Sequence, residues 1–151
     1  MKQNLIEAIR ELNRLEHLIY VSLKYTRTTD ILKTILDKMI TILDYLWNAL
    51  LEKKKLDKVI EEYSSAPLKK VEMIKELYED ERIRKMINFY LLLKKLNKLE
   101  YIPLNEYRKQ LTMRFINENN EIYDITIESV TNDYKEIKDF LSYLRAKYLE
   151  I

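Results

Sequence analysis

The amino-acid sequence predicts a mainly α-helical protein: a helical bundle with one β-hairpin near the C-terminus, at about residues 110–128, and a closing C-terminal helix. Apolar residues recur with the 3.6-residue period of an α-helix through most of the chain, and the period changes to two only between residues 111 and 128. The 151 residues include no glycine and only two prolines. Since 47% of the residues are apolar, the chain is long enough to form a core, and we predict a single domain at residues 1–151.

The first half of the chain predicts two long helices. Residues 3–25 form an amphipathic pattern, and residues 30–52 carry a wider apolar arc that needs more than one neighbour. Between them, the stretch YVSLKYTRTTD at residues 20–30 contains three threonines and an arginine. We predict a break near residues 26–29, with Thr28 or Thr29 as the cap of the second helix. The second helix is expected to continue for one or two turns through LDKVIEEY.

The second half predicts two shorter helices, the hairpin and the closing helix. The segment Ser64-Ser65-Ala66-Pro67 is typical of a helix start, and this helix is predicted to end near Glu79. Asp80 is the predicted cap of a helix at 81–99, and Pro103 ends or redirects the chain. The runs LTMRFI and EIYDITIESV alternate apolar and polar residues on either side of NENN, which predicts a β-hairpin. The closing helix is predicted from Thr131.

The composition excludes several classes of site. An average chain of this length contains roughly ten glycines, about 7% of residues. Without glycine, the phosphate-binding Walker and dinucleotide loops, the nucleophile elbow and the EF-hand are not expected. His17 is the only histidine and there is no cysteine, so a histidine-pair or thiolate zinc site and a conventional catalytic triad are not expected either. We therefore predict a protein that is not an enzyme and uses no cofactor and no metal.

The charge balance and the N-terminal sequence indicate in which compartment the protein is found. The net charge is only +2, which gives no overall field that attracts nucleic acid or membranes. The N-terminal sequence MKQNLIEAIRELNRLEH has charges every few residues, so it resembles neither a signal peptide nor a membrane span. The absence of cysteine agrees with a reducing compartment. We predict a soluble, cytoplasmic protein with no membrane partner.

One candidate polar cluster lies on the first helix. Glu16 falls among Leu12, Ile19 and Leu23 on a helical wheel centred on Leu5, and Tyr20 and Arg27 follow it on the same face. A carboxylate in an apolar seam is costly unless it is paired. The sequence therefore predicts a buried polar cluster of Glu16, Tyr20 and Arg27. A structural ion pair is the favoured interpretation, and a ligand-binding or proton-handling role for Glu16 is the alternative.

A basic stripe is the second candidate. The segment 82–98 contains six lysines and arginines and no acid. Four of them project to a similar side of the predicted helix and make candidate nucleic-acid contacts: Arg84, Lys94, Lys95 and Lys98. On an otherwise neutral protein, such a stripe more often faces water or the acids of a neighbouring helix.

The segment ILDYLWNALLEK, followed by SSAPLKKVEMIKELY and a third long helix, resembles the organisation of HEPN-type helical domains. The resemblance covers roughly residues 3–100 and depends on patterning. The Arg-x4-6-His motif of the family's ribonucleases does not occur here, because His17 is preceded by Arg10 and Arg14 at the wrong spacings. The resemblance implies a non-catalytic member that binds a nucleotide, RNA or a partner protein, and it transfers no functional residue.

We therefore predict a non-catalytic protein-interaction or scaffold module. The apolar excess of the helices at 30–52 and 81–99 favours self-association as a homodimer. The alternative is an RNA-, DNA- or nucleotide-binding module that uses the basic stripe at 82–98.

Overall fold

A computed structural model describes residues 1–149 and is mainly helical. The helices are α1 (Lys2–His17), α2 (Leu23–Tyr25), α3 (Thr29–Leu56), α4 (Pro67–Leu77), α5 (Glu81–Leu96) and α6 (Ile127–Leu144). A π-helical turn at Leu18–Ser22 joins α1 to α2, and another at Arg145–Leu149 follows α6. The strands are β1 (Tyr101–Leu104), β2 (Thr112–Ile116) and β3 (Ile122–Thr126). The mainly α fold with a hairpin and a closing helix is confirmed.

The predicted break between the first two helices is confirmed. Residues 26–28 are not helical, and Thr26 has extended backbone angles. The hydroxyl of Thr28 accepts a hydrogen bond from the backbone N–H of Ile31, at 3.4 Å. Thr28 is therefore the N-cap of α3, because its side chain satisfies one of the N–H groups that the first turn leaves free.

The predicted continuation of α3 beyond residue 56 is wrong. Lys58 has a left-handed backbone with φ 60°. The N–H of Val59 donates to the carbonyl of Lys54 at 2.9 Å, and the N–H of Lys58 donates to that of Lys55 at 3.1 Å. These two bonds form a Schellman motif, which ends a helix and normally has glycine at the left-handed position.

Both predicted helix starts in the middle of the chain are confirmed. Pro67 is the first residue of α4, where its missing N–H is no loss. The Oδ1 atom of Asp80 accepts from the N–H groups of Arg82 at 2.9 Å and Ile83 at 3.2 Å. The helices end slightly earlier than predicted, at Leu77 and Leu96.

The β structure has one strand more than predicted. Strands β2 and β3 form the expected antiparallel hairpin, in which Ile116 pairs with Ile122. Strand β1 pairs antiparallel with β2 and lies at the edge of the three-stranded sheet, with Pro103 opposite Met113. Proline is tolerated on an edge strand because one side of that strand has no partner. The sequence signal was weak since the strand has only four residues and contains proline.

Helix α6 begins at Ile127, four residues before the predicted start at Thr131. The Thr126 hydroxyl accepts from the N–H of Ser129 at 3.1 Å, and the Ser129 hydroxyl accepts from the N–H of Thr126 at 2.8 Å. This reciprocal capping box stops the strand at Thr126. Ser129 stands at the third helical position, where a capping box usually has glutamate or glutamine, so the pattern is harder to recognise in the sequence.

The core is organised around α3. Its buried side chains include Trp47, whose ring lies 5.8 Å, centroid to centroid, from the rings of Tyr90 on α5 and Phe140 on α6. Helix α3 also packs against α1, α4 and β2. The wide apolar arc of residues 30–52 is therefore covered within the chain. Partly exposed apolar side chains remain on α5, at Phe89, Leu91 and Leu92.

A buried carboxylate joins α5 to the C-terminal helix. Asp80 is 6% exposed, and its Oδ2 atom accepts from the hydroxyls of Tyr143 at 2.5 Å and Tyr148 at 2.6 Å. The Lys147 ammonium lies 3.4 Å from the same oxygen. Burial alone would raise the pKa of Asp80, but these bonds and the N–H of Ile83 hold it well below its usual range. The ionised side chain therefore stabilises the folded state.

Replacing Lys58 with glycine should stabilise the protein. A left-handed conformation costs a residue with a Cβ about 1–2 kcal/mol, and glycine takes it freely at some entropic cost in the unfolded chain. We expect Lys58→Gly to raise the free energy of unfolding by about 0.5–1 kcal/mol in urea titrations. The control Glu72→Gly, at an exposed position inside α4, should lose about 1 kcal/mol. Equal losses in the two variants would contradict this account of the helix end.

Replacing Asp80 should lower the stability of the protein by an amount that depends on pH. We expect Asp80→Asn to lower the free energy of unfolding at pH 7 by about 2–4 kcal/mol, since charged hydrogen bonds and a cap are lost. Because the folded-state pKa of Asp80 is depressed, the wild-type advantage should be complete above about pH 4 and shrink as the pH falls further. Urea titrations between pH 7 and pH 2 measure both effects. Asp139→Asn, at an exposed position of α6, is the matched control, and a pH-independent deficit would refute the role of the charge.

Candidate binding surfaces

The predicted polar cluster is not buried. Glu16 and Tyr20 are exposed, and Arg27 is partly exposed. The Glu16 carboxylate accepts from the hydroxyl of Tyr134 on α6, at 2.7 Å. The Tyr20 ring packs edge-on against the ring of Tyr134, at 5.9 Å between centroids. Glu16 and Tyr20 therefore both contact Tyr134, whereas Arg27 lines a small cleft together with Tyr20 and makes no bond to Glu16.

The buried acid of the first helix is Glu11 instead. It is 7% exposed, bonds to Lys38 on α3 at 2.6 Å, and also pairs with Arg14. Burial alone would raise the pKa of Glu11, but these two cations lower it. The buried arc of α1 is centred near Ala8 and Leu15 rather than on Leu5, and Glu11 lies one turn from each of them. The spacing of Glu11, three residues after Ala8 and four before Leu15, could have identified it as buried. A wheel centred on Leu5 places Glu11 away from the predicted core.

The basic stripe lies on the surface of α5 and the turn after it. Arg84, Lys95 and Lys98 are exposed, and Lys94 is partly exposed. Their side chains form no hydrogen bond or ion pair with other residues of the described part, 1–149. Lys95 and Lys98, however, line a groove together with acidic residues of the hairpin. The nucleic-acid role of the stripe stays a prediction.

The groove between α5 and the hairpin has a volume of about 850 Å³; we call it the α5–hairpin groove. The α5 side presents apolar residues and the two lysines: Leu91, Leu92, Leu96, Leu99, Lys95 and Lys98. The hairpin side presents Asn117, Glu118, Asn119, Glu121 and Tyr123. The groove therefore has an apolar floor, a basic rim on one side and an acidic rim on the other.

The tip of the hairpin, residues 116–122, exposes two apolar side chains on the face of the sheet opposite to Tyr123, the strand residue that lines the groove. Ile116 and Ile122 are cross-strand partners and are 40% and 57% exposed. The turn between them is fixed by Asn117, whose Oδ1 atom accepts from the N–H groups of Asn119 and Glu121, both at 2.9 Å. Asn120 adopts a left-handed conformation with φ 61°. The tip is a defined apolar projection that carries the acidic residues Glu118 and Glu121.

A second exposed feature surrounds the break between α2 and α3. The carboxylate of Glu106 accepts from the backbone N–H of Thr29 at 3.1 Å and from its hydroxyl at 2.6 Å. The N–H of the next residue, Tyr107, donates to the carbonyl of Arg27 at 2.6 Å. These bonds fix the loop that follows β1 against the start of α3. Sequence reasoning missed this contact because residues 105–110 follow no periodic pattern.

A small pocket of about 240 Å³ lies between α5 and α6. Arg82, Lys85, Asp133 and Glu136 contribute charges to it, over an apolar floor that includes Phe89 and Phe140. The Arg82 guanidinium stacks over the ring of Tyr143 at 4.2 Å. Burial, together with the charge of Glu136, raises the pKa of Asp133 to about 6. Sequence reasoning missed Asp133, because the burial of its carboxylate depends on how α5 and α6 pack.

Within residues 1–149, no group of histidine or acidic side chains is arranged to hold a metal ion. No helix of that part is long and apolar enough to cross a membrane. A comparison of the chain with models of protein families, with curated proteins and with solved structures finds no match. Any function must therefore be inferred from the surfaces described above.

Replacing Asp133 should stabilise the protein at neutral pH. Because the pKa of Asp133 is raised in the folded state, ionising it costs stability as the pH rises from about 4 to about 6. We expect Asp133→Asn to raise the free energy of unfolding at pH 8 by about 1–3 kcal/mol, and the gain to disappear below about pH 4. Urea titrations at pH 3.5 and pH 8 measure the difference. Asp139→Asn should show no gain, and a loss of stability in Asp133→Asn at pH 8 would contradict the prediction.

Proposed function

We propose that the protein is a non-catalytic interaction module that self-associates as a homodimer, with the hairpin tip of each copy bound in the α5–hairpin groove of the other. The observation that carries this proposal is that the hairpin forms one wall of an apolar groove and also exposes two isoleucines, Ile116 and Ile122, on its other face. Exposed apolar patches with polar rims are typical of protein-interaction sites.

The apolar parts of the two features are complementary. Ile116 and Ile122 are exposed aliphatic side chains at the tip. The floor of the groove is formed mainly by leucines of α5, and Leu91 and Leu92 are only partly buried. Transferring the two isoleucines from water to this floor is favourable by about 25 cal/mol for each Å² of apolar surface removed.

The charges support a two-fold arrangement. Lys95 and Lys98 line one side of the groove, and Glu118 and Glu121 line the other. A two-fold axis that places each tip in the partner's groove brings the glutamates of one copy to the lysines of the other. Such a contact is self-complementary, as an isologous dimer interface requires. It also occurs twice, which helps the buried area approach the roughly 1,200 Å² of a standard specific interface.

The nucleic-acid alternative at the basic stripe has weaker support. Glu118 and Glu121 line the same groove as Lys95 and Lys98, and carboxylates near the lysines oppose the approach of phosphates. Arg84 and Lys94 are not among the residues of this groove.

Sedimentation equilibrium tests the dimer directly. We expect the wild-type chain to be mainly dimeric at roughly 100 μM, and Ile116→Asn combined with Ile122→Asn to be monomeric, because the apolar contact then fails. The control Ile6→Asn, at an exposed position of α1, should leave the dimer intact. A wild-type chain that stays monomeric at every workable concentration would end the proposal and leave another protein as the partner.

A charge exchange tests the arrangement of the two copies. Lys95→Glu with Lys98→Glu, and Glu118→Lys with Glu121→Lys, should each weaken self-association, because both rims of the contact then carry the same sign. Mixing the two variants should restore dimers, since every pair across the interface is again opposite in charge. Thermal melts confirm that each variant is folded. Dimers that form in both variants alone, or a mixture that stays monomeric, would exclude this geometry.

A further inference from the structure

The surface around the break between α2 and α3 carries the two most exposed large apolar side chains in residues 1–149, and both are tyrosines. Tyr25, the last residue of α2, is 79% exposed, and Tyr107 in the loop after β1 is 75% exposed. The hydrogen bond from the N–H of Tyr107 to the carbonyl of Arg27 joins the two segments. By the reach of the chain, the Cα atoms of the two tyrosines lie within roughly 15 Å of each other.

Four cations accompany these rings. Lys24, Arg108 and Lys109 are exposed and Arg27 is partly exposed. Their side chains make no hydrogen bond or ion pair with another residue in the described range, 1–149. Lys24 and Arg27 also line a small cleft of about 220 Å³ that reaches the start of α6. We call these four residues, with Tyr25 and Tyr107, the corner surface.

The acids near the corner surface only partly offset its charge. The Glu106 carboxylate is held by the N–H and hydroxyl of Thr29 at the start of α3. The Asp30 side chain is exposed and receives a long hydrogen bond, 3.5 Å, from Tyr101. Glu106 is bonded only to neutral groups and keeps its charge, so four cations stand against two carboxylates and leave a net positive patch, on a chain whose net charge is only +2.

The loop that presents Tyr107 is fixed in an unfavourable backbone conformation. Asn105 and Tyr107 have left-handed φ values of 57° and 66°. This region suits asparagine but costs a bulky residue such as tyrosine. The bonds from Thr29 to Glu106 and from Tyr107 to Arg27 hold the loop there. Strain of this kind persists where the surroundings enforce it and often accompanies a binding function.

From these observations we infer that the corner surface binds single-stranded nucleic acid. Unpaired bases expose faces that stack on aromatic rings, and the phosphates between them meet the lysines and arginines. A duplex offers no such faces within its length, so it would meet only the cations. An acidic peptide would also meet the cations but would gain little from stacking. Rings and cations on one fixed corner therefore fit a flexible polyanion with planar groups.

Fluorescence anisotropy with labelled 20-nucleotide oligo(U) RNA and oligo(dT) DNA tests the inference on the full chain. We expect both to bind, and the duplex of the same length to bind at least about tenfold more weakly. With four phosphate contacts on a single strand, the logarithm of the binding constant should fall against that of the salt concentration with a slope of about −3. No binding of either single strand at 50 mM salt would overturn the inference, as would equal binding of a polyglutamate peptide.

Two sets of substitutions separate stacking from charge. Tyr25→Ala with Tyr107→Ala should weaken binding at least about tenfold, and Tyr25→Phe with Tyr107→Phe should retain it, because stacking needs the ring and not the hydroxyl. Arg108→Gln with Lys109→Gln should reduce the salt slope to about −1.4. Full binding by the alanine pair would overturn the role of the rings.

The control variants locate the surface. Lys2→Glu with Lys69→Glu changes two exposed lysines of α1 and α4 and should leave binding unchanged. Arg84→Glu with Lys94→Glu alters the basic stripe outside the α5–hairpin groove and should also leave binding unchanged. If the stripe variant loses binding while the corner variants keep it, the corner surface is excluded and the stripe is the site. Sedimentation of each corner variant should still show the wild-type oligomeric state, which separates this test from that of the dimer.

Discussion

The burial of α3 is the constraint from which the rest of the arrangement follows. Thirteen of its 28 residues are buried, and they lie around more than one side of the helix. A helix of this kind is stable only when neighbours cover each apolar side. The covering elements come from the whole chain, because α1, α4, α5, α6 and β2 all pack against α3. The order of the surrounding elements is therefore set by the apolar sides of one helix.

The ends of the helices are fixed by side chains in a chain that has no glycine. Asp80 and Glu106 each accept hydrogen bonds at the start of a helix and also connect that helix to a segment distant in sequence. Where glycine is usual, the chain uses Lys58, Asn105, Tyr107 and Asn120 with positive φ. Each of these costs some stability, and the neighbouring hydrogen bonds offset that cost. Asp80 and Glu106 thus each combine a helix start with a distant contact.

Periodicity accounts for what was predictable, and distant contacts account for what was not. The helices of residues 3–25, 30–52 and 81–99 were visible because their apolar spacing is local. The cap at Thr28 was predictable for the same reason. The end of α3 depends on a left-handed lysine, which has no sequence signature, and β1 depends on pairing with a strand that follows it in the chain.

The candidate sites were less predictable than the fold. A helical wheel gives the spacing of residues but not the direction of the core. Because the wheel was centred on Leu5, Glu16 was predicted as the buried acid of α1, whereas the buried acid is Glu11. The contact of Glu106 with Thr29 spans 77 residues, so neither segment alone indicates it. The exposure of Lys95 and Lys98 was predictable, but the acids beside them became apparent only when the hairpin was placed next to α5.

The distribution of paired and unpaired charges favours binding as the role of the exposed features. Lys38 and Lys147 are used within the fold, on Glu11 and Asp80. The cations of the groove and of the corner surface have no such partner in the described residues, although acids are plentiful in the sequence. The exposed isoleucines of the hairpin tip and the exposed Tyr107 with its left-handed backbone do not contribute to the stability of the folded chain. Residues that do not favour folding are expected where a protein contacts a partner. Here they lie at two places, the hairpin tip with the α5–hairpin groove, and the corner surface.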